Sequence, residues 1–444
     1  MLAHPRTERQ EQMQQPNQQS QSAVPIEAEP EFAALVAIDW ADKKHYWSLS
    51  AGGKLERGAL DNTPEAVEAW MVGLHQRFGG RPVAVALEQR KGALIVMLGK
   101  YQHIYLYPVH PATLAKYREA WFPSRSKDDI KDADLLCEIL TQHRDRLRRL
   151  DPDTSEMRQL QACVENRRKL VDERTALSNK LKDTLKIYYP QIPRWHDHLT
   201  TQLVGDLLAK WPTLEDLQKA RPATLEKFLH DHRFGDEEKI QTRLAEIRDA
   251  IPATTDPAVI QPAKPMVAVW IAQIKILRAA IRDLEKVIRD LACAQPDWGL
   301  FDSLPGAGEA MAPRLMAALG TQRNRFQSAD DLQCFAGIAP VKEASGNSVV
   351  IHFRWACPKF VRQTFHEWAA CSLAECDWAK ALYDQLKARG KSHHMAIRAV
   401  AFKWMRILYR CWKDRQPYQE EVYLASRAKR SLPLQKIVAS VQMP

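Results

Sequence analysis

The stretch Phe32-Ala-Ala-Leu-Val-Ala-Ile38-Asp39 decides how the first third of the chain is read. Seven mostly apolar residues ending on an acid are too short for a helix in this setting and suit a buried strand. Working outward, His45 to Leu49 reads as a second strand and Leu55 to Leu60 as a third, joined by a turn at Gly52-Gly53. Thr63 to Phe78 has helical periodicity, with Asn62 or Thr63 as the cap and Pro64 just inside. Pro82-Val-Ala-Val-Ala-Leu87 is another buried strand, and it too ends on an acid, Glu88. A short helix at Leu94 to Leu98, a strand at Ile104 to Val109 and a helix at Ala133 to Leu140 complete the pattern. Strands and helices in this order predict an α/β domain with a mixed sheet over residues 31–150.

The rest of the 444 residues reads as mainly helical. Residues 1–30 are rich in Gln and Pro and have little to bury, which predicts a disordered leader. Residues 151–298 read as a helical region. Ser155 to Ile187 is a long charged helix, with Arg167 and Arg174 breaking an otherwise apolar seam. Val267, Trp270, Ile274, Leu277, Ile281, Leu284, Ile288 and Leu291 form a regular heptad seam and predict a central coiled coil. Its partner is either the earlier helix or a second chain. Residues 299–430 read as a compact helical domain, followed by a tail over 431–444.

Composition narrows the class. Hydrophobic residues make up 45% and charged residues 27%, as in globular proteins, and no apolar run is long enough for a membrane helix. Eight scattered cysteines with no C-x-x-C pair argue against a disulfide scaffold or a structural zinc site, and predict reduced thiols in a cytoplasmic protein. Residues 351–444 hold 17 Lys and Arg against 7 Asp and Glu, an excess equal to the net +10 of the whole chain. Interleaved aromatics there suit either a nucleic-acid surface or an ordinary aromatic core under a solvated face.

Three groups could carry chemistry. Asp39 and Glu88 end strands, and Asp129 and Asp132 sit one turn apart in Lys127-Asp-Asp-Ile-Lys-Asp-Ala133. Converging carboxylates repel unless cations neutralise them, and oxygen ligands suit Mg²⁺ or Mn²⁺. Two such ions can stabilise the attacking and leaving oxygens of a phosphodiester. Each acid alone is equally an ordinary loop or helix-start residue. The second group is Ser345-Gly346, a turn dipeptide without an esterase-type elbow around it. The third is Leu304-Pro-Gly-Ala-Gly308, where Gly306 and Gly308 open a helix and could expose N–H groups to a phosphate.

Taken in order, these motifs resemble the transposases of the insertion sequence 110 family, over roughly Leu35 to Ser426. The resemblance implies a ribonuclease-H/RuvC-like N-terminal domain whose D-E-D-D set is Asp39, Glu88, Asp129 and Asp132, with Asp128 leaving a one-residue ambiguity. It implies a C-terminal transposase domain with a Pro-Gly-x-Gly turn at Pro305 to Gly308, a Gly-x-x-Pro segment at Gly337 to Pro340, and Ser345 as nucleophile. Arg354, Lys359 and Arg362 stand where many members are Gly- and Arg-rich, and are expected on a nucleic-acid backbone. The activity implied is DNA strand exchange with Mg²⁺ or Mn²⁺, on donor and target DNA, guided by a structured bridge RNA. A homodimer or tetramer in the prokaryotic cytoplasm, at the nucleoid when acting, is implied too. The rival readings are a metal-dependent nuclease or junction resolvase that uses water, and a non-catalytic RNA- or DNA-binding scaffold.

Overall fold

A computed structural model describes residues 29–122, 129–346 and 348–429. The expected leader, apart from its last two residues, and the expected tail lie outside the described residues, as do Lys127 and Asp128. The chain divides between Pro152 and Asp153 into two compact units.

In the first unit, β1 (Ala34–Asp39), β2 (Lys44–Ala51) and β3 (Lys54–Asp61) are antiparallel neighbours. Helix α1 (Pro64–Arg77) follows, its N-terminus fixed by Thr63, whose hydroxyl accepts from the Ala66 amide. Then come β4 (Val83–Leu87), α2 (Ala93–Leu98), β5 (Ile104–Pro108), α3 (Pro111–Trp121) and α4 (Asp129–His143). The sheet order is β3-β2-β1-β4-β5, with β4 parallel to both β1 and β5. The period of two in Val83-Ala-Val-Ala-Leu87 sorts its side chains between two cores. Val36, Ile38, Val83, Val85 and Leu87 pack with Val67 and Met71 of α1. Ala37, Ala84 and Ala86 pack on the other face with Leu114 of α3 and Leu136 and Leu140 of α4. Alanines on that face leave room for a helix to lie close against the strands.

The register positions the acids. Ile38 pairs with Leu87 in parallel, so Asp39, the last residue of β1, and Glu88, just past β4, stand at neighbouring strand ends. Helix α3 has no counterpart in the sequence reading. Its signals are Pro111 at the first helical position and His110 as cap, accepting from the Ala112 amide.

The second unit is built on two long helices. Between α5 (Ser155–Tyr188) and α11 (Pro257–Cys293) run α6 (Gln191–Trp195), α7 (Gln202–Lys210), α8 (Leu214–Gln218), α9 (Pro222–Asp231) and α10 (Glu237–Asp249). Met157, Leu160 and Val164 share a core with Ile288 and Ala292, whereas Leu181 and Leu185 share another with Val267 and Ile274. The two helices are therefore antiparallel partners within one chain. Arg167, which interrupts the apolar seam, donates to Glu285 of α11 at 2.5 and 2.9 Å and so helps to set the register. The small helices α6 to α10 close one end of this pair around Tyr189, Trp211 and Phe228.

The other end carries α12 (Trp298–Asp302), α13 (Gly308–Leu319), α14 (Ala329–Phe335), the strands β6 (Val341–Ser345) and β7 (Ser348–His352), then α15 (Lys359–Cys371), α16 (Asp377–Ala388), α17 (His393–Asp414) and α18 (Glu420–Lys429). Its core is aromatic. Trp368 and Trp378 lie 4.9 and 4.7 Å from Trp404, centroid to centroid, and each buried ring of this kind contributes about 1.5–3 kcal/mol by burial alone. Most of the aromatics interleaved with the basic C-terminal sequence are thus core residues, and Trp355, at 77% exposure, is the exception. All eight cysteines are free, and no helix of the described residues is long and apolar enough to cross a membrane.

Candidate active site

One of the four acids is held by a guanidinium. Arg118 of α3 donates from Nε and Nη2 to the two carboxylate oxygens of Asp132, at 2.6 Å each. Asp132 is 1% exposed and Asp39 8%, so both are carboxylates withdrawn from water. The Arg118 proton is held more tightly than usual, first by the Asp132 hydrogen bonds and further by the charges of Glu88 and Asp39. Asp132 is thus the carboxylate that Arg118 holds directly, while Asp39 and Glu88 act on it through their charge. Asp129 is the first residue of α4, one turn before Asp132 and on the same helical face.

A neighbouring acid has a different task. Asp134 accepts from Ser48 Oγ at 2.6 Å and from Arg57 Nε at 2.9 and 3.0 Å, tying α4 to β2 and β3. Arg118 is the residue that sequence reasoning missed, because helix α3 was not anticipated.

Among the described residues, three ligand groups within 4.8 Å of one another occur only at Glu226, His230 and Glu237. Those side chains lie at the surface of α9 and α10, where Gln241 spans both glutamates and His230 pairs with Glu237. The acids around Arg118 stand wider apart, with both Asp132 oxygens turned to the guanidinium.

Ser345 belongs to the second unit and sits on a feature the sequence reading did not anticipate. It ends β6 and pairs with Ser348 of β7. A Gly-Asn pair between two short extended runs is the signal that could have found this hairpin. Ser345 is exposed, as are most residues of both strands. The hairpin is anchored at its base. Gly337 has φ +69°, and a Cβ there would come within 2.3 Å of Cys357 Sγ, so only glycine fits. Arg354 donates to the carbonyls of Ala339 and Pro340 at 3.1 and 3.3 Å. The Gly-x-x-Pro segment is therefore clasped by the chain that leaves β7.

The Pro305–Gly308 turn is clasped too. Trp368 Nε1 donates to the Pro305 carbonyl at 3.0 Å, and the Gly306 amide donates to Glu375 at 2.8 Å. A Cβ on Gly306, at φ +69°, would lie 2.5 Å from the Ser372 amide nitrogen. The Gly306 N–H is engaged inside the fold, whereas Gly308, at the exposed start of α13, has no neighbour within 4 Å of a would-be Cβ. Lys359 is exposed at the first position of α15, and Arg362, one turn on, donates to the Arg354 carbonyl at 3.4 Å.

The sequence of each unit matches known transposases. A transposase profile of the DEDD IS110 type covers residues 36–190, which include all four acids. A second profile, for transposases of the IS116/IS110/IS902 family, covers residues 299–384, which include the glycine turn and Ser345. The chain belongs to the IS110 family of transposases.

Relatives match along most of this transposase. The mini-circle transposase assigned to IS117 of Streptomyces coelicolor is 24% identical over 88% of this chain and 97% of its own length. A 43.6 kDa protein of insertion element IS110 from the same organism is 24% identical over 84% of this chain and 91% of its own. A 44.8 kDa protein of IS116 from Streptomyces clavuligerus is 22% identical over 66% of this chain and 73% of its own. The protein is thus an enzyme of DNA recombination, and the DEDD designation implies a divalent metal.

Proposed function

We propose that this transposase exchanges DNA strands through a serine ester, with Asp39, Glu88, Asp129 and Asp132 as its metal-holding acids and Ser345 as its nucleophile. The observation that carries the reading is that Asp39 and Glu88 stand at neighbouring strand ends, with the buried Asp132 on the helix that packs on that face of the sheet. Asp39 and Asp132 are carboxylates withdrawn from water, and such groups call for positive charge. All the donors are hard oxygens, which suits Mg²⁺ or Mn²⁺ better than a softer metal. Bound there, such an ion would polarise the scissile phosphate and ease loss of the attacking proton. Asp39 and Glu88 present their oxygens from adjacent strand ends, and Asp132 would join them by exchanging the guanidinium for the shared cation. Asp129 would add a fourth carboxylate from the same helix face.

Ser345 Oγ would attack phosphorus. One Oγ–P bond forms as the P–O bond to the leaving deoxyribose breaks, the serine proton passes to a base, and the leaving oxygen gains a proton. The ester keeps the bond energy, so a second strand can reverse the step without ATP. An exposed serine on a narrow hairpin has the reach for a strand end. Acids and serine lie in different units, which suits a site assembled between protomers of a dimer or tetramer. A structured bridge RNA would choose the target through base pairing.

The decisive experiment is strand exchange by purified protein, with guide RNA and paired DNA sites, followed by denaturing electrophoresis. A covalent protein–DNA adduct in the wild type and none in Ser345→Ala is the expected result. Free DNA ends without an adduct would reject the serine and leave a hydrolytic nuclease.

A further inference from the structure

The base of the serine hairpin carries more positive charge than the fold uses. The Phe353 ring has Arg398 at 4.0 Å and Arg362 at 4.8 Å from its centre. Arg362 comes from α15 and Arg398 from α17, so two helices deliver guanidinium groups to one ring. Arg354, adjacent in the chain, spends its donors on two backbone carbonyls. Among the described residues, no carboxylate pairs with Arg354, Arg362 or Arg398. Elsewhere in this unit half-buried arginines do have acids: Arg314 holds Glu367 at 2.6 Å and Arg323 holds Asp297 at 2.5 Å. Arg398 is half-buried, and burial together with the Arg362 charge weakens its hold on its proton. A cavity of about 200 Å³ opens beside the ring, lined by Pro340, His352, Phe353, Arg354, Lys391 and Arg398. Glu343 of β6 is engaged by His352 of β7 at 3.2 Å.

Two like charges on one ring, beside a cavity and without a counter-ion, are poorly compensated by cation–π attraction, worth about 0.5–2 kcal/mol. An anion between them removes the conflict. We infer that Arg362 and Arg398, set on Phe353, form a binding site for a backbone phosphate of the DNA strand served by the hairpin. Neither Arg398 nor Phe353 follows from a sequence motif; the ring and the two helices create the pair. The site rests on the reading of the hairpin as a DNA-handling element, and it makes Arg398 a DNA-binding residue for the strand near Ser345.

The test is DNA binding by the full chain, read as fluorescence anisotropy of a labelled duplex between about 50 and 200 mM NaCl. Arg362→Gln and Arg398→Gln are each expected to flatten the plot of log K against log salt by about 0.9, the release of one phosphate's counter-ions. Arg398→Lys should keep the slope, as should Arg410→Gln, an exposed residue on α17 that pairs with Asp414. Unchanged slopes in both glutamine variants, with melting temperatures like the wild type's, overturn the proposal. Should Arg398→Gln not fold, the Arg362→Gln slope decides in the same way. Calorimetry with inorganic phosphate separates the two sources of the anion: phosphate binding lost in Arg398→Gln while the DNA slope stays put means a free-anion site and overturns the inference. Ser345→Ala should keep the wild-type slope and lose strand exchange. If it retains exchange, the nucleophile assignment falls while the phosphate site stands on its slope.

Discussion

The acid edge of the first unit and the serine hairpin of the second are built in opposite ways. Asp39 and Glu88 stand at the ends of central strands backed by two cores, and Asp132, on α4, is fixed by a bidentate arginine. The serine stands on two exposed strands with no core of their own, held only at their base. Groups that must present charge to a phosphate gain from rigidity, because preorganised charges need no rearrangement during reaction. On the proposed mechanism, a serine that forms and then releases a bond to a strand end would gain from reach. The contrast would then assign stability to one region and travel to the other.

The largest expected effect tests the chemistry on both sides at once. Asp39→Asn and Ser345→Ala should each lower strand exchange by about 10³-fold or more, roughly 4 kcal/mol of barrier, with DNA binding retained. The two should differ in metal: manganese bound per chain, followed by the electron paramagnetic resonance of free Mn²⁺, falls in Asp39→Asn and stays in Ser345→Ala. Equal metal loss in both would break the division of labour.

Next come the anchors. Gly306→Ala forces a methyl into the Ser372 backbone and should cost about 3 kcal/mol or more, seen as a lower melting temperature of the second unit. Gly337→Ala meets a cysteine side chain instead of backbone, so its cost should be smaller, about 1–3 kcal/mol, and should fall on exchange activity through the hairpin. If Gly337→Ala leaves exchange untouched, the base of the hairpin does not govern the serine.

On the acid side, Arg118→Gln removes the partner of a buried carboxylate and should destabilise the first unit by roughly 3 kcal/mol, read by denaturant titration. Added Mn²⁺ should recover much of that loss, because a second cation then satisfies Asp132. Absence of any recovery would separate Asp132 from the metal.

The smallest effect concerns pH. Burial, with His394 and Arg398 nearby, pushes the His366 imidazole down to about 4. Its folded value lies below the usual one, so it costs nothing at neutral pH and opposes folding as pH drops from about 6.5 toward 4. His366→Gln should flatten the fall of the melting temperature across that window.

Much of the first unit was legible in the sequence, and the reasons are local. Strand runs ending at Asp39 and Glu88 and the Thr63 cap, like the long helix from Ser155 in the second unit, depend on apolar period and capping groups that a single segment carries. The element after β5 was not, since α3 buries only Leu114 and its periodicity is weak. The β6–β7 hairpin was missed for a similar reason: its strands face water and lack the apolar alternation that marks a half-buried strand. The aromatic tail could be read two ways until packing made Trp368, Trp404 and Trp412 core residues and left Trp355 outside.

By itself the sequence determined the kinds of elements and the order of the chemical groups, because propensity, capping and periodicity act over a few residues. Tertiary structure decided which charges meet. Parallel pairing of β1 with β4 set Asp39 beside Glu88, an unforeseen helix brought Arg118 to Asp132, and two helices met at Phe353 with their arginines. Electrostatic energy depends on distance in space, and distance along the chain carries almost no information about it.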